Sequence, residues 1–261
     1  MFKQPEINFP KNPVKILTNK TNRKKIHMNS SITTKPSIVL VHGAFADATG
    51  WQKVIPLLEK DGFTVTAVQN PLKSIADDVA TTKRAIEAQK GDVVLVGHSY
   101  GGAIITGAGA NNPKVKALVY VAAFAPDAGE TIGALIGQFP PTPLGAALVP
   151  DSAGFLFIDR PKFHEIFAKD VPEGESAVMA ATQKPVAGAS FGETQAVAAW
   201  KTVPSWYVVS TQDHAINPDS ERFMAKRMNA HTTEIDASHV SFISQAAKIV
   251  SIIEEAAGVP A

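Results

Sequence analysis

The 261-residue chain predicts an α/β fold: a doubly wound, mainly parallel six-stranded sheet with an inserted cap of helices and small mixed elements. Three observations predict it. Short β-branched apolar runs alternate with segments of helical periodicity, the pattern of strands buried on both faces and joined by helical crossovers. One such run, Val93-Val94-Leu95-Val96, passes through Gly97-His98-Ser99-Tyr100-Gly101 into a small-residue stretch, a sharp strand-to-helix join. The alternation then lapses between Pro126 and Val203, too long a stretch for one structureless loop. The expected organisation is a disordered basic leader over 1–35, a core over 36–126 and 204–258, and the cap over 127–203.

The elements follow in order. Ile38-Val39-Leu40-Val41 reads as the first buried strand and ends at His42-Gly43-Ala44-Phe45. Trp51, Val54, Ile55 and Leu58 recur at helical spacing, Asp61-Gly62 stops that helix, and Phe63–Val68 is the second strand. Ser74 is a capping residue for a helix carrying Ile75, Val79 and Ile86, and Lys90-Gly91 leads into the third strand. After the glycine-flanked turn and its helix, Asn111-Asn112-Pro113 is a stop and Ala117–Ala123 a fourth strand. Prolines then punctuate the chain at 140, 141, 143, 150, 161, 172 and 185, with an apolar cluster at Phe155–Ile158 and a short helix expected from Phe163 to Lys169. Regularity returns with a strand at Trp206–Ser210, a helix capped by Asn217 with Pro218 at its first position, and a strand near Thr232–Ile235. A last helix from about Val240 places Phe242, Ile243, Ala246, Ile249, Val250 and Ile253 on one face.

G-x-S-x-G between a strand and a helix is the context of a nucleophile elbow, in which the glycines leave room where the backbone doubles back and Ser99 stands exposed at the apex. A serine hydroxyl needs a base to take its proton and a carboxylate to orient that base. In a parallel sheet these gather beyond the carboxyl ends of later strands. Asp213 and His239 lie there, in the chain order Ser, Asp, His that an elbow requires. Asp127, after the fourth strand, is a competing acid, although its Pro126 and Ala128-Gly129 neighbours suit a turn. His42 is read as a loop-stabilising hydrogen bonder. The negative charge developing on a carbonyl oxygen needs donors, for which the amides of Tyr100 and Ala44 are placed. Phe45 and the cap residues Phe155, Phe157, Phe163 and Phe167 are expected to contact substrate.

The segments Val41–Phe45, Gly97–Gly102, Ala123–Asp127, Asp213–Ile216 and Ala237–His239 resemble those of the α/β-hydrolase superfamily, in particular its small branch of plant methylesterases and hydroxynitrile lyases. The resemblance runs from about Pro36 to Gly258 and is weakest in the cap. It implies that Ser99, Asp213 and His239 form a triad, that Tyr100 and Ala44 supply the oxyanion hole, and that the site works without a cofactor. The lyases of that branch carry a lysine after the histidine and a threonine in the first loop, where this chain has Val240 and Gly43. Both departures favour hydrolysis.

Composition sets the outer bounds. Hydrophobic residues at 45% and charged residues at 19% describe an ordinary globular chain, and no apolar run approaches the ~18 residues of a membrane span. With no cysteine, disulfides and thiolate metal sites are excluded. No zinc or nucleotide signature is present, so neither a metal nor a cofactor is expected. Residues 1–27 hold seven basic side chains and one acidic, leaving the remainder five charges negative, which argues against nucleic-acid binding by the fold. The leader lacks the apolar segment of a secretory signal, Met28 could be the natural start, and a cytoplasmic location is expected, although the absence of cysteine leaves secretion open. The expected partner is a small-molecule ester, with no integral membrane association and with a homodimer left open. The reading is a serine hydrolase of a small carboxylic ester. Lactone or carbon–carbon hydrolysis, perhydrolysis, cyanohydrin cleavage, and a non-catalytic binding protein on the same fold are the alternatives.

Overall fold

In the computed structural model, which describes residues 35–259, β1 (Ser37–Val41) is the first element and is buried almost throughout. The leader expected over 1–35 lies, but for Lys35, outside those residues. A 3-10 turn at Ala48–Lys53, capped by the Asp47 carboxylate, precedes α1 (Ile55–Lys60). The single helix expected here is therefore two pieces, because Pro56 near the start of α1 has no N–H to continue the ladder. Next come β2 (Val65–Val68), α2 (Ile75–Glu87), β3 (Val93–His98), α3 (Tyr100–Ala108) and β4 (Val115–Val121). β2 starts two residues later than expected, since the Phe63 N–H is spent on Leu58. Ser74 caps α2 as read from the sequence, its hydroxyl accepting from the Asp77 N–H at 3.0 Å.

Between β4 and the next core strand lie α4 (Ile132–Ile136), β5 (Leu148–Pro150), β6 (Phe155–Ile158), α5 (Arg160–Phe167), α6 (Glu173–Thr182) and β7 (Val186–Ala187). β5, β6 and β7 form a small antiparallel sheet. The core resumes with β8 (Ser205–Ser210), α7 (Pro218–Arg227), β9 (His231–Ile235), α8 (Ser241–Ser244) and α9 (Ala246–Ala256). The last helix expected from the sequence is thus broken at Gln245, whose φ of −123° is not helical.

The six core strands run parallel in the order β2-β1-β3-β4-β8-β9. Strand order reverses at β1, so right-handed crossovers put α1 on the face opposite α2 and α3. α9 packs with α1, while α2 and α3 pack on each other. A doubly wound sheet of this kind opens a crevice at the carboxyl ends of its strands, next to the switch in direction. β1 and β3 flank that switch, and both candidate loops, 42–45 and 97–101, leave from their carboxyl ends.

Candidate active site

Ser99 sits between β3 and α3 with φ +54° and ψ −124°, a backbone region that non-glycine residues rarely occupy. The flanking glycines are required by contact. A Cβ at position 97 would lie 2.6 Å from the Gly101 carbonyl oxygen, and one at position 101 would lie 2.5 Å from that of Val41. The turn is tied down on both sides: the Ser99 N–H donates to Val121, and its carbonyl accepts from Gly102 and Phe124.

His239 follows β9, and its Nδ1 lies 2.5 Å from Asp213 Oδ2. The other Asp213 oxygen accepts from the N–H groups of Ala215 at 2.6 Å and Ile216 at 2.9 Å, so the turn after β8 orients the carboxylate. Both side chains are buried. With Nδ1 engaged, His239 Nε2 is the ring nitrogen left over, and it has no hydrogen-bond partner among the described residues. Asp127 stands elsewhere, half-exposed and paired with Lys201 at 2.6 Å. The structure therefore joins Asp213, and not Asp127, to the histidine.

The loop carrying His239 is held by Asp170, which lies between α5 and α6. Its carboxylate accepts from the Ser238 N–H at 3.1 Å, from the Ser238 hydroxyl, and from the Ser244 hydroxyl at 2.6 Å. Beneath the ring, His98 Nε2 is 2.9 Å from the His239 carbonyl oxygen, and the two imidazole centroids are 4.6 Å apart. Burial, with His239 adding to it, pushes His98 far below the ordinary imidazole range, so it serves as a neutral donor. His42 is likewise neutral: burial lowers its pKa to about 4. It bonds the Gly43 carbonyl through Nδ1 at 2.8 Å and receives the Asn70 N–H on Nε2 at 3.0 Å, the loop-stabilising role read from the sequence.

Ser99 and His239 share a cavity of about 290 Å³ with Ala44, Phe45 and Tyr100. The Ala44 N–H donates to no described group, and that of Tyr100, at the first position of α3, has no preceding turn to receive it. Gly43 brings the first loop against the serine, since a Cβ there would lie 2.7 Å from the Ser99 Cβ. The Tyr100 side chain is anchored away from its amide by a 2.9 Å bond to the buried Asp78 carboxyl. Among the described residues no aspartate, glutamate, lysine or arginine lines the cavity. Among the described residues no three histidine, aspartate or glutamate side chains gather as a metal would need.

Of the expected substrate contacts, Phe45 and Phe167 line the cavity and Phe155, Phe157 and Phe163 do not. Side chains alternate along a strand. Pairing Pro150 with Leu156 and Val149 with Phe157 puts Phe155 and Phe157 on the face of the exposed Val149, and Leu156 on the cavity side. Phe163 lies one helical turn behind Phe167, at 5.1 Å between ring centroids, and is fully buried. The sequence reading missed Phe124, Ile136, Leu144, Leu148, Phe191 and Ile216, which complete the apolar wall. Only Phe124 and Ile216 carried a signal, as neighbours of strand-end segments already singled out.

The family described as the Alpha/beta hydrolase family matches residues 38–252 of the chain. The chain is 27% identical over 246 residues to the probable hydrolase R7 of Phoma sp., covering 86% of this chain and 99% of that one. It is 29% identical over 229 residues to methylesterase 8 of Arabidopsis thaliana, covering 73% and 77%. Among solved structures, a pyrethroid hydrolase from Sphingobium faniae superposes with a TM-score of 0.73 at 22% identity, over 86% of this chain and 98% of that one. That likeness is one of fold.

Proposed function

Since the chain belongs to the alpha/beta hydrolase family, in its methylesterase-like branch, we propose that it hydrolyses a small, uncharged, apolar carboxylic ester through an acyl-enzyme on Ser99. The observation that carries this reading is the Asp213–His239 hydrogen bond, which leaves Nε2 as the unpartnered ring nitrogen of a residue lining the same cavity as the serine. His239 takes the Ser99 proton as the hydroxyl oxygen attacks the ester carbonyl. Asp213 holds the ring in the tautomer with the proton on Nδ1 and supports the imidazolium that forms. The oxyanion of the tetrahedral intermediate receives the Ala44 and Tyr100 amides. His239 then gives its proton to the leaving alcohol, and water repeats the sequence on the acyl-enzyme to free the acid.

The substrate class follows from the wall. A cavity with no charged side chain other than what His239 can acquire has nothing to pair with a buried ionic group, so a charged substrate would pay full desolvation. The segment between β4 and β8 contributes Leu144, Leu148, Leu156 and Phe167 to that wall and acts as the cap. Hydrolysis is favoured over cyanohydrin cleavage by Gly43, which leaves no side chain above Ser99, and by the buried, apolar Val240 after the histidine. Covalent labelling by a fluorophosphonate, and a screen over acyl length and leaving group with Ser99→Ala as the blank, test the reading. Turnover by the alanine variant at the wild-type rate would overturn it.

A further inference from the structure

The Asp213 carboxyl has a second neighbour that its sequence position does not announce. Glu221, in the first turn of α7, is fully buried, and its Oε2 accepts from the Ser210 N–H at 3.0 Å. Its Oε1 meets no donor among the described residues, and the carboxyl is seated on the same β8 turn that carries Asp213, whose N–H donates to the Ser210 carbonyl at 3.2 Å. Asp213 already accepts on one oxygen from two backbone amides and on the other faces His239. Two ionised carboxylates are acceptors only, so a contact between them carries a hydrogen bond only if a proton lies between the two. Among the described residues, Tyr207 of β8 spends its hydroxyl on the Ala123 backbone and Arg222 is engaged with Glu234 and Asp219 at the surface, so neither holds two charges here.

We propose that Glu221 is a neutral carboxylic acid that donates from Oε1 to the Asp213 carboxylate, a positioning residue behind the Asp213–His239 pair. This rests on the reading of Asp213 as the acid of the triad. Burial, strengthened by the Asp213 charge, pushes Glu221 well above the ordinary carboxylate range, in keeping with the geometry. A neutral donor steadies Asp213 without adding charge. An ionised Glu221 would place a second negative charge behind the imidazole and hold its proton on at higher pH, taking the base out of use.

Infrared difference spectra of the full chain at pH 8, wild type minus Glu221→Gln, should show the carbonyl stretch of a protonated carboxylic acid, and that band should shift in an Asp213→Asn background. Glu221→Leu should lower kcat about tenfold or more, and Glu221→Gln, a neutral donor of the same shape, should recover most of it. The acidic limb of the kcat/KM profile should coincide in wild type and Glu221→Gln. Absence of the acid band, or a limb displaced downward by about one pH unit in the glutamine variant, would overturn the proposal, because removal of an ionised group lowers that limb. The band decides the proton on Glu221 whatever the activity. Full turnover by Ser99→Ala would instead remove the triad reading and the positioning role with it.

Discussion

Ser99 combines a strained backbone, 7% exposure and a place on the wall of an apolar cavity, and the strain is imposed by bonds to the Ser99 peptide rather than by its hydroxyl. Ser99→Ala should therefore fold and melt like the wild type while losing at least ~10³ of kcat, as a paired activity and thermal-melt measurement would show. Asp213→Asn should lose roughly 10³ to 10⁴ of kcat, and Asp127→Asn should stay within about tenfold. The opposite ranking in folded variants would move the acid to Asp127. The residues proposed to carry the chemistry were legible because each lies just past the carboxyl end of a strand, where a parallel sheet gathers its site. The contacts of the cavity were less so. Aromatic character drew the eye to Phe155 and Phe157, but a strand shows one face at a time, and the face turned to the cavity belongs to Leu156. Glu221 was invisible for a different reason: a glutamate in the first turn of a helix reads as a solvated partner of the helix dipole, and only the packing of α7 on β8 buries it.

At the scale of the element, the join of β3 and α3 depends on backbone contacts that admit no side chain. Gly101→Ala would drive a Cβ to 2.5 Å from the Val41 carbonyl oxygen, and neither β1 nor α3 can retreat without breaking the sheet. It should destabilise by about 3 kcal/mol or fail to fold, as urea unfolding would reveal. A second tie joins α7 to the loop after β4: Arg227 grips both Glu130 oxygens, at 2.8 and 2.7 Å, and also donates to the Ala125 carbonyl at 2.5 Å. Arg227→Ala should cost about 2 kcal/mol, because it strands a partly buried carboxylate and a carbonyl at once. Elements with local stop and start chemistry were readable in the sequence. Asn217 does accept from the Asp219 N–H at 2.9 Å with Pro218 next in line. Elements shaped by what they pack against were not: α6 carries no cap signal, and the break at Gln245 interrupts an apolar stripe that is otherwise continuous.

For the molecule as a whole, buried titratable groups set how stability follows pH. His42, with its pKa lowered to about 4, and His98, pushed well below the ordinary imidazole range by burial, must be neutral in the native state. Their contribution is complete above the ordinary imidazole value near 6.5 and is lost as pH falls below it; for His42 the loss runs down to about 4 and amounts to roughly 3 kcal/mol. Glu221 works in the opposite sense, since the native state keeps a proton that the unfolded chain gives up above about 4.5. The two imidazoles outweigh the one strongly shifted carboxyl, so stability to urea should decline from pH 7 to pH 5. The decline should be steeper in Glu221→Gln, by at most ~1.4 kcal/mol per pH unit, and equal slopes would contradict a buried neutral acid. The parallel sheet could be read from the chain because apolar runs and crossovers are local signals; the bonds that join the segment between β4 and β8 to the core cross long stretches of sequence and leave none. Asp170 makes three of those bonds. By holding Ser238 and Ser244 it makes the backbone that presents His239 an extension of the α5–α6 pair. Mild denaturant that loosens those two helices must then silence the enzyme while the sheet is still intact, and amide hydrogen exchange across 160–182 should quicken along the same curve on which activity fades.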